Sequence, residues 1–428
     1  MWSRYFDVSL AGIARHVDNP PGISHFSFVK MPAAPEATTI LHIGAPKCGS
    51  TALQDALFLN REALKSEGIE YVGAQAHWIS AAKAVVGVAD RVSGRVPPIS
   101  EWQSMVGWAR RATGEGRRAL ISSEWFASAD EPHVERIVHD LGAESLSIVL
   151  MIRPLTSTLP SAWQQGLKLG STIGLQEWLE TVLLRPEDPR SKKVWLKHRY
   201  DAIARRWSEV VGPENVTVVV VDEKSRSGIF DDFSRIIGVP SGTLSVQPNR
   251  TNPSLSAFEA DVLAELNAMF FAQGGTLREY RTGVYRTFDG YVNSIRQGEV
   301  QKSRVPSAMR SVVYERNNEI AQGLGAVGCT IVGDLEGFAS TPSFSSSTQS
   351  SELDGAQGER DVRSAAGMMY SLIVTAGISE PTTPLPGFGS RSARYLYQAL
   401  SLLRRVRGAA VQVVRQRLRG GKGPRQKA

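Results

Sequence analysis

Short, unbroken apolar runs bounded by turn residues recur along this chain: 39–43 (TILHI), 118–122 (RALIS), 145–152 (SLSIVLMI) and 215–221 (NVTVVVV). Runs of this length, rich in β-branched residues, read as strands covered on both faces, which is the habit of a parallel sheet. Between them the apolar positions repeat at helical spacing. Ala52, Leu53, Ala56 and Leu57 predict a helix over 51–58, and Tyr200, Ile203 and Trp207 predict one over 197–207. Further helices are expected over 155–169, 230–237, 255–271 (capped by Ser254 or Ser256) and 305–323, with a short β/α unit closing at 67–73. Residues 74–116 are helical and carry Trp78, Trp102 and Trp108 around a Pro97-Pro98 break. They read either as a cap over a site or as a packed tryptophan layer. Strands alternating with helices predict a three-layer αβα fold around a central, mostly parallel sheet.

Within that pattern, residues 38–57 form the organising stretch. A buried strand runs into Gly44-Ala45-Pro46-Lys47-Cys48-Gly49-Ser50-Thr51 and then into the first helix. Backbone N–H groups of such a loop and the positive end of the new helix converge on one point, so the order strand, glycine loop, helix makes a P-loop-like anion cradle. Lys47 adds a mobile charge. The nucleotide-kinase form of this loop, GxxxxGK followed by Ser or Thr, sets its lysine next to the hydroxyl that holds magnesium. Here the lysine precedes the second glycine, which removes that ligand geometry. No metal site is expected. Cys48 reads as turn filling, with a helix-start thiolate as the alternative.

Two further places carry chemistry. The strand 118–122 ends in Ser122-Ser123-Glu124-Trp125, and parallel strands present their carboxyl ends to the ligand crevice. Glu124 therefore faces the side of the phosphate loop, as a general base for a hydroxyl or as a solvated or capping carboxylate; His133 is the reserve base, with His139 farther on. The strand 145–152 ends in Arg153-Pro154, and Ser161 follows eight residues after the arginine. A guanidinium fork and a hydroxyl at that spacing suit one phosphate. Asp222 and Glu223 end the next strand and read as capping acids.

The motif GxPKxGST after a strand, with an Arg/Ser pair about a hundred residues later, resembles sulfotransferases that use 3′-phosphoadenosine 5′-phosphosulfate (PAPS), bacterial and actinobacterial members related to carbohydrate sulfotransferases above all. The resemblance spans residues 38–338, with its specific motifs in three short stretches. It implies that Lys47, Cys48, Gly49, Ser50, Thr51 and Ala52 bind the 5′-phosphosulfate and that Arg153 and Ser161 bind the 3′-phosphate. It also implies that Glu124, where glycan-type members carry their base, takes the acceptor proton. Proline directly after Arg153, and Pro160 before Ser161, depart from the commoner pattern. The basic, aromatic stretch 274–304 (Arg278, Arg281, Arg286, Lys302 and Arg304 among Tyr280, Tyr285, Phe288 and Tyr291) takes the place of the family's late loop over the adenosine. The KGxxG motif of cytosolic members is absent, so no residue there is assigned. The Asn-rich run from Asn249 and the ending 329–335 (CTIVGDL) are similar to those of bacterial relatives.

Composition adjusts this picture at the ends. The chain has 428 residues, 42% of them apolar, enough for a sizeable core. Its formal charge of +7 is a tail property: residues 391–428 hold 11 Lys/Arg and no acid, leaving 38 basic against 42 acidic residues before them. Such a balance gives no nucleic-acid footprint to the core. Two cysteines, Cys48 and Cys329, give no disulfide framework and fit a reducing, cytoplasmic compartment. Residues 1–37 read as an unstructured extension without a signal or anchor run, with Met31 as a candidate start. After a domain over 38–339, residues 340–388 read as a flexible linker whose apolar segment 368–376 is too short to span a bilayer. In the tail 389–428, Leu396, Leu400, Leu403, Val406, Ala410, Val414 and Leu418 recur at helical spacing among arginines. That predicts a basic amphipathic helix for an anionic inner membrane surface, with partner docking and a disordered tail as alternatives.

Together these features predict metal-independent transfer of a sulfuryl group from PAPS to a hydroxyl of a carbohydrate, glycolipid or other small acceptor. The rivals are a magnesium-dependent phosphotransferase and a non-catalytic membrane-associated scaffold.

Overall fold

The computed structural model describes residues 38–340, apart from 74, 91–92, 223–227, 246–253, 287, 290–291 and 293–301, together with 361–363, 365–367 and 369. The extension 1–37, most of the linker, the amphipathic tail, Glu223, the Asn-rich run and Tyr291 lie outside the described residues. No described helix is long and apolar enough to cross a membrane.

Six strands form one sheet: β1 (Thr39–Gly44), β2 (Ile69–Tyr71), β3 (Arg118–Ser122), β4 (Leu146–Ile152), β5 (Val216–Val220) and β6 (Thr330–Val332), in the order β2-β3-β1-β4-β5-β6. Every ladder is parallel. From β1 the chain crosses to the edge strand β2, then runs back through β3 and past β1 to β4, and from β4 it moves outward through β5 and β6. Right-handed crossovers running in opposite directions put their helices on opposite faces, which gives the three-layer α/β fold. The change of direction falls between β1 and β4. At such a switch point the loops leave to opposite faces and open a crevice at the carboxyl ends of the strands. β1, β3, β4 and β5 answer the four apolar runs. β2 is the strand of the 67–73 unit, and β6 grows out of CTIVGDL, whose Thr330, Ile331 and Val332 pair with β5.

The helix after β1, α1 (Ser50–Leu59), matches the predicted 51–58. The span 197–207 does not form one helix. Pro189–His198 and Tyr200–Val211 are separate helices broken at Arg199 (φ −82°, ψ 76°), whose guanidinium folds forward onto Asp201 through Nε at 2.9 Å and Nη2 at 2.7 Å. A polar pair two residues apart competes with helix continuation, and apolar periodicity does not see it. The helix expected from 305 starts at Arg310, because Pro306 is extended and a short 3-10 turn, Ser307–Met309, follows it.

The chain divides into two compact units. The first holds the sheet: residues to Leu159, Leu179–Thr251 and Pro306–Pro342. The second comprises Pro160–Trp178, Asn252–Val305 and Ser343 onward. The first boundary falls inside the helix Leu155–Leu167 at Pro160, which lacks the N–H that would continue the ladder. In the second unit the helix Ala257–Ala272 starts on a capping box between Ser256 and Glu259. Asn267 Nδ2 donates to the carbonyls of Leu167 (2.9 Å) and Ser171 (2.7 Å), and fully buried Tyr280 donates to Leu167 O at 2.8 Å. Tyr280 is therefore core, within the stretch read as a polar late loop.

Between β2 and β3, Trp102 is fully buried and donates to Asp140 at 2.8 Å, while Trp78 and Trp108 meet with centroids 4.6 Å apart and their rings tilted by 51°. Of the three, only Trp102 is core; Trp108 stays exposed.

Candidate functional site

The site assembles where β1, β3 and β4 end. β1 is wholly buried to Gly44, where its register with β4 shifts, and Ala45 N donates to Met151 O at 2.7 Å. Gly44 has φ +100°, and a Cβ built there would lie 2.9 Å from the Glu124 backbone Cα. Only glycine allows the loop to pass the β3 end this closely. Lys47 takes φ +69°, a left-handed conformation that costs a side-chain-bearing residue about 1–2 kcal/mol. Strain of this kind persists where the surroundings over-determine it. Here Arg153, at the end of β4, donates through Nη1 to the Lys47 carbonyl at 3.1 Å, bringing together two motif residues 106 positions apart.

Gly49 (φ +91°) ends the turn, and no side chain caps α1. The first-turn N–H groups of Ser50, Thr51 and Ala52 thus stand open for an anion. The hydroxyl of buried Ser50 donates back to Ala45 O at 3.2 Å and so pins the loop, which leaves exposed Thr51 as the hydroxyl on the open side. Cys48 is fully buried, its thiol donating to Pro46 O at 3.6 Å, in keeping with turn filling.

Glu124 opens a short 3-10 turn, Glu124–Ser128, capped by Ser123. It is half-buried, and its Oε2 accepts from Gln54 Nε2 at 3.4 Å. Trp125 beside it carries two ammonium groups over its ring, Lys83 Nζ at 4.8 Å and Lys197 Nζ at 4.5 Å from the centroid. His133 sits in the first turn of the helix Glu131–Leu141, bound to its capping residue Asp130. Asp222 is exposed after β5. Ser161 is half-buried in the helix Leu155–Leu167 and belongs to the second unit, whereas Lys47, Glu124 and Arg153 belong to the first.

Sequence reasoning missed several residues around this loop. Tyr200 is fully buried; its phenol donates to Thr158 Oγ1 at 3.3 Å and meets the Cys48 thiol, and burial first, then Cys48, hold it well above its ordinary pKa. His198 donates through Nδ1 to Val194 O at 2.8 Å, and its Nε2 has no hydrogen-bond partner. Burial pulls its pKa down to about 4, helped by the charges of Lys197 and Lys47. His42 on β1, paired with Ser122 Oγ at 2.7 Å, is pulled to about 3 by burial. No local signal marks these histidines, since their meaning comes from burial.

A pH dependence follows. Both histidines stay neutral in the fold and take up a proton near pH 6.5 once unfolded, so the unfolded chain binds more protons between about pH 6.5 and 4. Stability is expected to be full above that window and to fall through it, by at most about 1.4 kcal/mol per pH unit for each histidine. Urea midpoints from pH 7.5 to 4.5 check this, and His198→Gln is expected to flatten the dependence. A midpoint that rises on acidification contradicts it.

No family model matches the chain, and no curated relative matches it either. Among solved structures, a sulfotransferase from Alicyclobacillus acidocaldarius aligns at 17% identity with a TM-score of 0.35, over 56% of this chain and 93% of that one. Likeness at that level carries no weight for function, which has to come from the chain's own residues.

Proposed function

We propose that this chain is a sulfotransferase that moves a sulfuryl group from PAPS to a hydroxyl, without a metal, on a carbohydrate, glycolipid or other small acceptor. The observation that supports it most is the convergence of three remote motifs at one switch point: the uncapped loop 44–52, Glu124 against Gly44, and Arg153 on the Lys47 carbonyl.

In this reading the 5′-phosphosulfate docks on the N–H groups at the start of α1 with Thr51 beside them. An acceptor hydroxyl attacks sulfur in line; its oxygen forms the new S–O bond as the bond from sulfur to the 5′-phosphate oxygen breaks. Glu124 receives the hydroxyl proton. The electron pair stays on the departing phosphate, where Lys47 and the loop N–H groups neutralise it. Ser50 acts by shaping the loop. Arg153 braces the loop carbonyl and presents its guanidinium to the 3′-phosphate. The cysteine usage of the sequence suits a cytoplasmic enzyme, and its basic tail an inner membrane surface.

Calorimetry with 3′-phosphoadenosine 5′-phosphate, with and without EDTA, and with ATP and magnesium tests the donor. Metal-independent binding of the bisphosphate is expected, and Arg153→Ala is expected to weaken it about 30-fold or more, as loss of a partly desolvated charge partner does. Binding only of ATP with magnesium would move the chain to the phosphotransferases, and no nucleotide binding would favour the scaffold reading.

A further inference from the structure

Gln54 is a polar residue on the buried face of α1, between Leu53 and Ala56, and is itself buried. Its amide end makes two contacts: Nε2 donates to Ser122 O at 3.3 Å and to Glu124 Oε2 at 3.4 Å. Both partners are acceptors, so the amide has one sensible orientation, and turning it over would set oxygen against oxygen. The amide oxygen is thereby left facing His77, whose Nδ1 donates to it. On the other side of the ring, Nε2 lies 3.1 Å from Asp55 Oδ1. Asp55 is the neighbour of Gln54 on α1, so the path Asp55, His77, Gln54, Glu124 starts and passes through the same helix.

The segment carrying His77 is fixed independently. Tyr71, at the end of β2, donates to Ala76 O at 2.7 Å, one residue before the histidine. Burial, followed by the negative charges of Asp55 and Glu124, raises the Tyr71 phenol far above its ordinary range, so it stays a neutral donor. Gln54 and His77 are therefore each held on the side away from Glu124, as the support of a carboxylate must be if it is to meet a hydroxyl in one direction only.

We propose that Gln54 and His77 are positioning residues for the Glu124 carboxylate, and that α1 couples the two halves of the reaction. The first turn of α1 holds the donor, and its next turn aims the base. This rests on the reading of Glu124 as the base. A hydroxyl arriving at Oε1 meets a carboxylate whose other oxygen is held by Gln54. Loss of the tie leaves the donor cradle intact and misdirects proton acceptance.

The test uses the full chain and two acceptor-independent readouts. Crystal structures with 3′-phosphoadenosine 5′-phosphate are compared for wild type, Gln54→Leu, His77→Leu and His77→Gln, and the affinity of each for that nucleotide is measured by calorimetry. In Gln54→Leu and His77→Leu the Glu124 carboxylate is expected to move by about 1 Å or more, a displacement able to lower turnover about 10²-fold, while nucleotide affinity stays within about twofold. His77→Gln, which keeps a donor toward Gln54, is expected to restore the wild-type carboxylate. In assays following sulfuryl transfer from PAPS, kcat falls with the donor KM unchanged, and neither variant lowers kcat further in a Glu124→Gln background. An unmoved carboxylate in both leucine variants overturns the proposal, and so does loss of nucleotide affinity in step with the movement, the mark of a general packing role. Full transfer by Glu124→Gln would instead remove the base reading and leave the crystallographic result to stand separately.

Discussion

Glu124→Gln is expected to lower sulfuryl transfer by about 10²–10⁴-fold while leaving affinity for 3′-phosphoadenosine 5′-phosphate unchanged. The substitution keeps the shape of the side chain and its oxygen acceptor toward Gln54, and it removes only the ability to take a proton. Glu124 stands at the end of β3, its backbone pressed against Gly44 and its carboxylate tied from one side, so the change has little structural reach. The measurement is a progress curve of nucleotide release from PAPS with the acceptor that a radiolabelled sulfate screen selects, alongside calorimetry. A variant that turns over at the wild-type rate would reassign Glu124 as a turn-capping carboxylate. His133 is poorly placed to succeed it, because its ring is held by Asp130 at the start of its own helix.

Gly44→Ala is expected to lose both stability and activity. At φ +100° an alanine is strained, and its methyl group would sit 2.9 Å from a backbone atom of Glu124 and 3.1 Å from that residue's Cβ. Neither neighbour is the free end of a flexible side chain, so loop and turn must separate. Overpacking and left-handed strain together are worth about 2–5 kcal/mol. Urea unfolding and nucleotide calorimetry on one preparation check this: a midpoint and an affinity both equal to wild type would mean that the loop passes the strand end with more room than the 2.9 Å approach allows. Arg153→Ala acts on the same loop from the other side, yet it removes a hydrogen bond and a charge without forcing atoms apart, so its effect is expected mainly in ligand affinity.

Much of this was legible in the chain. Apolar runs gave away β1, β3, β4 and β5 because strands covered on both faces need no polar alternation, and the glycine loop announced itself by position between a strand and a helix. β6 was harder to see: three half-buried residues, Thr330–Val332, make a strand only because β5 is there to pair with. The break at Arg199, whose guanidinium pairs with Asp201, escaped periodicity because the apolar spacing runs on unchanged across it. Within the site, the candidate side chains were named by the type of chemistry each could do, and the structure sets Glu124 against Gly44 and Arg153 on the Lys47 carbonyl. What stayed hidden is whatever depends on the far side of a contact. Nothing in the sequence says that the Ser50 hydroxyl closes on Ala45, that Arg153 grips a carbonyl, or that Gln54 reaches Glu124 seventy residues away. The faint clue to the last was an amide on a helix face otherwise occupied by leucine and alanine.

Lys47 shows what these constraints mean for redesign. Its left-handed backbone is one that glycine or asparagine would adopt with less strain, so a search guided by stability alone would mark the position as a flaw and replace the lysine. The resulting protein would hold its fold better and, under the proposed mechanism, would lack the cation that meets the departing phosphate. Under that mechanism, durability and catalysis ask for different amino acids at this residue.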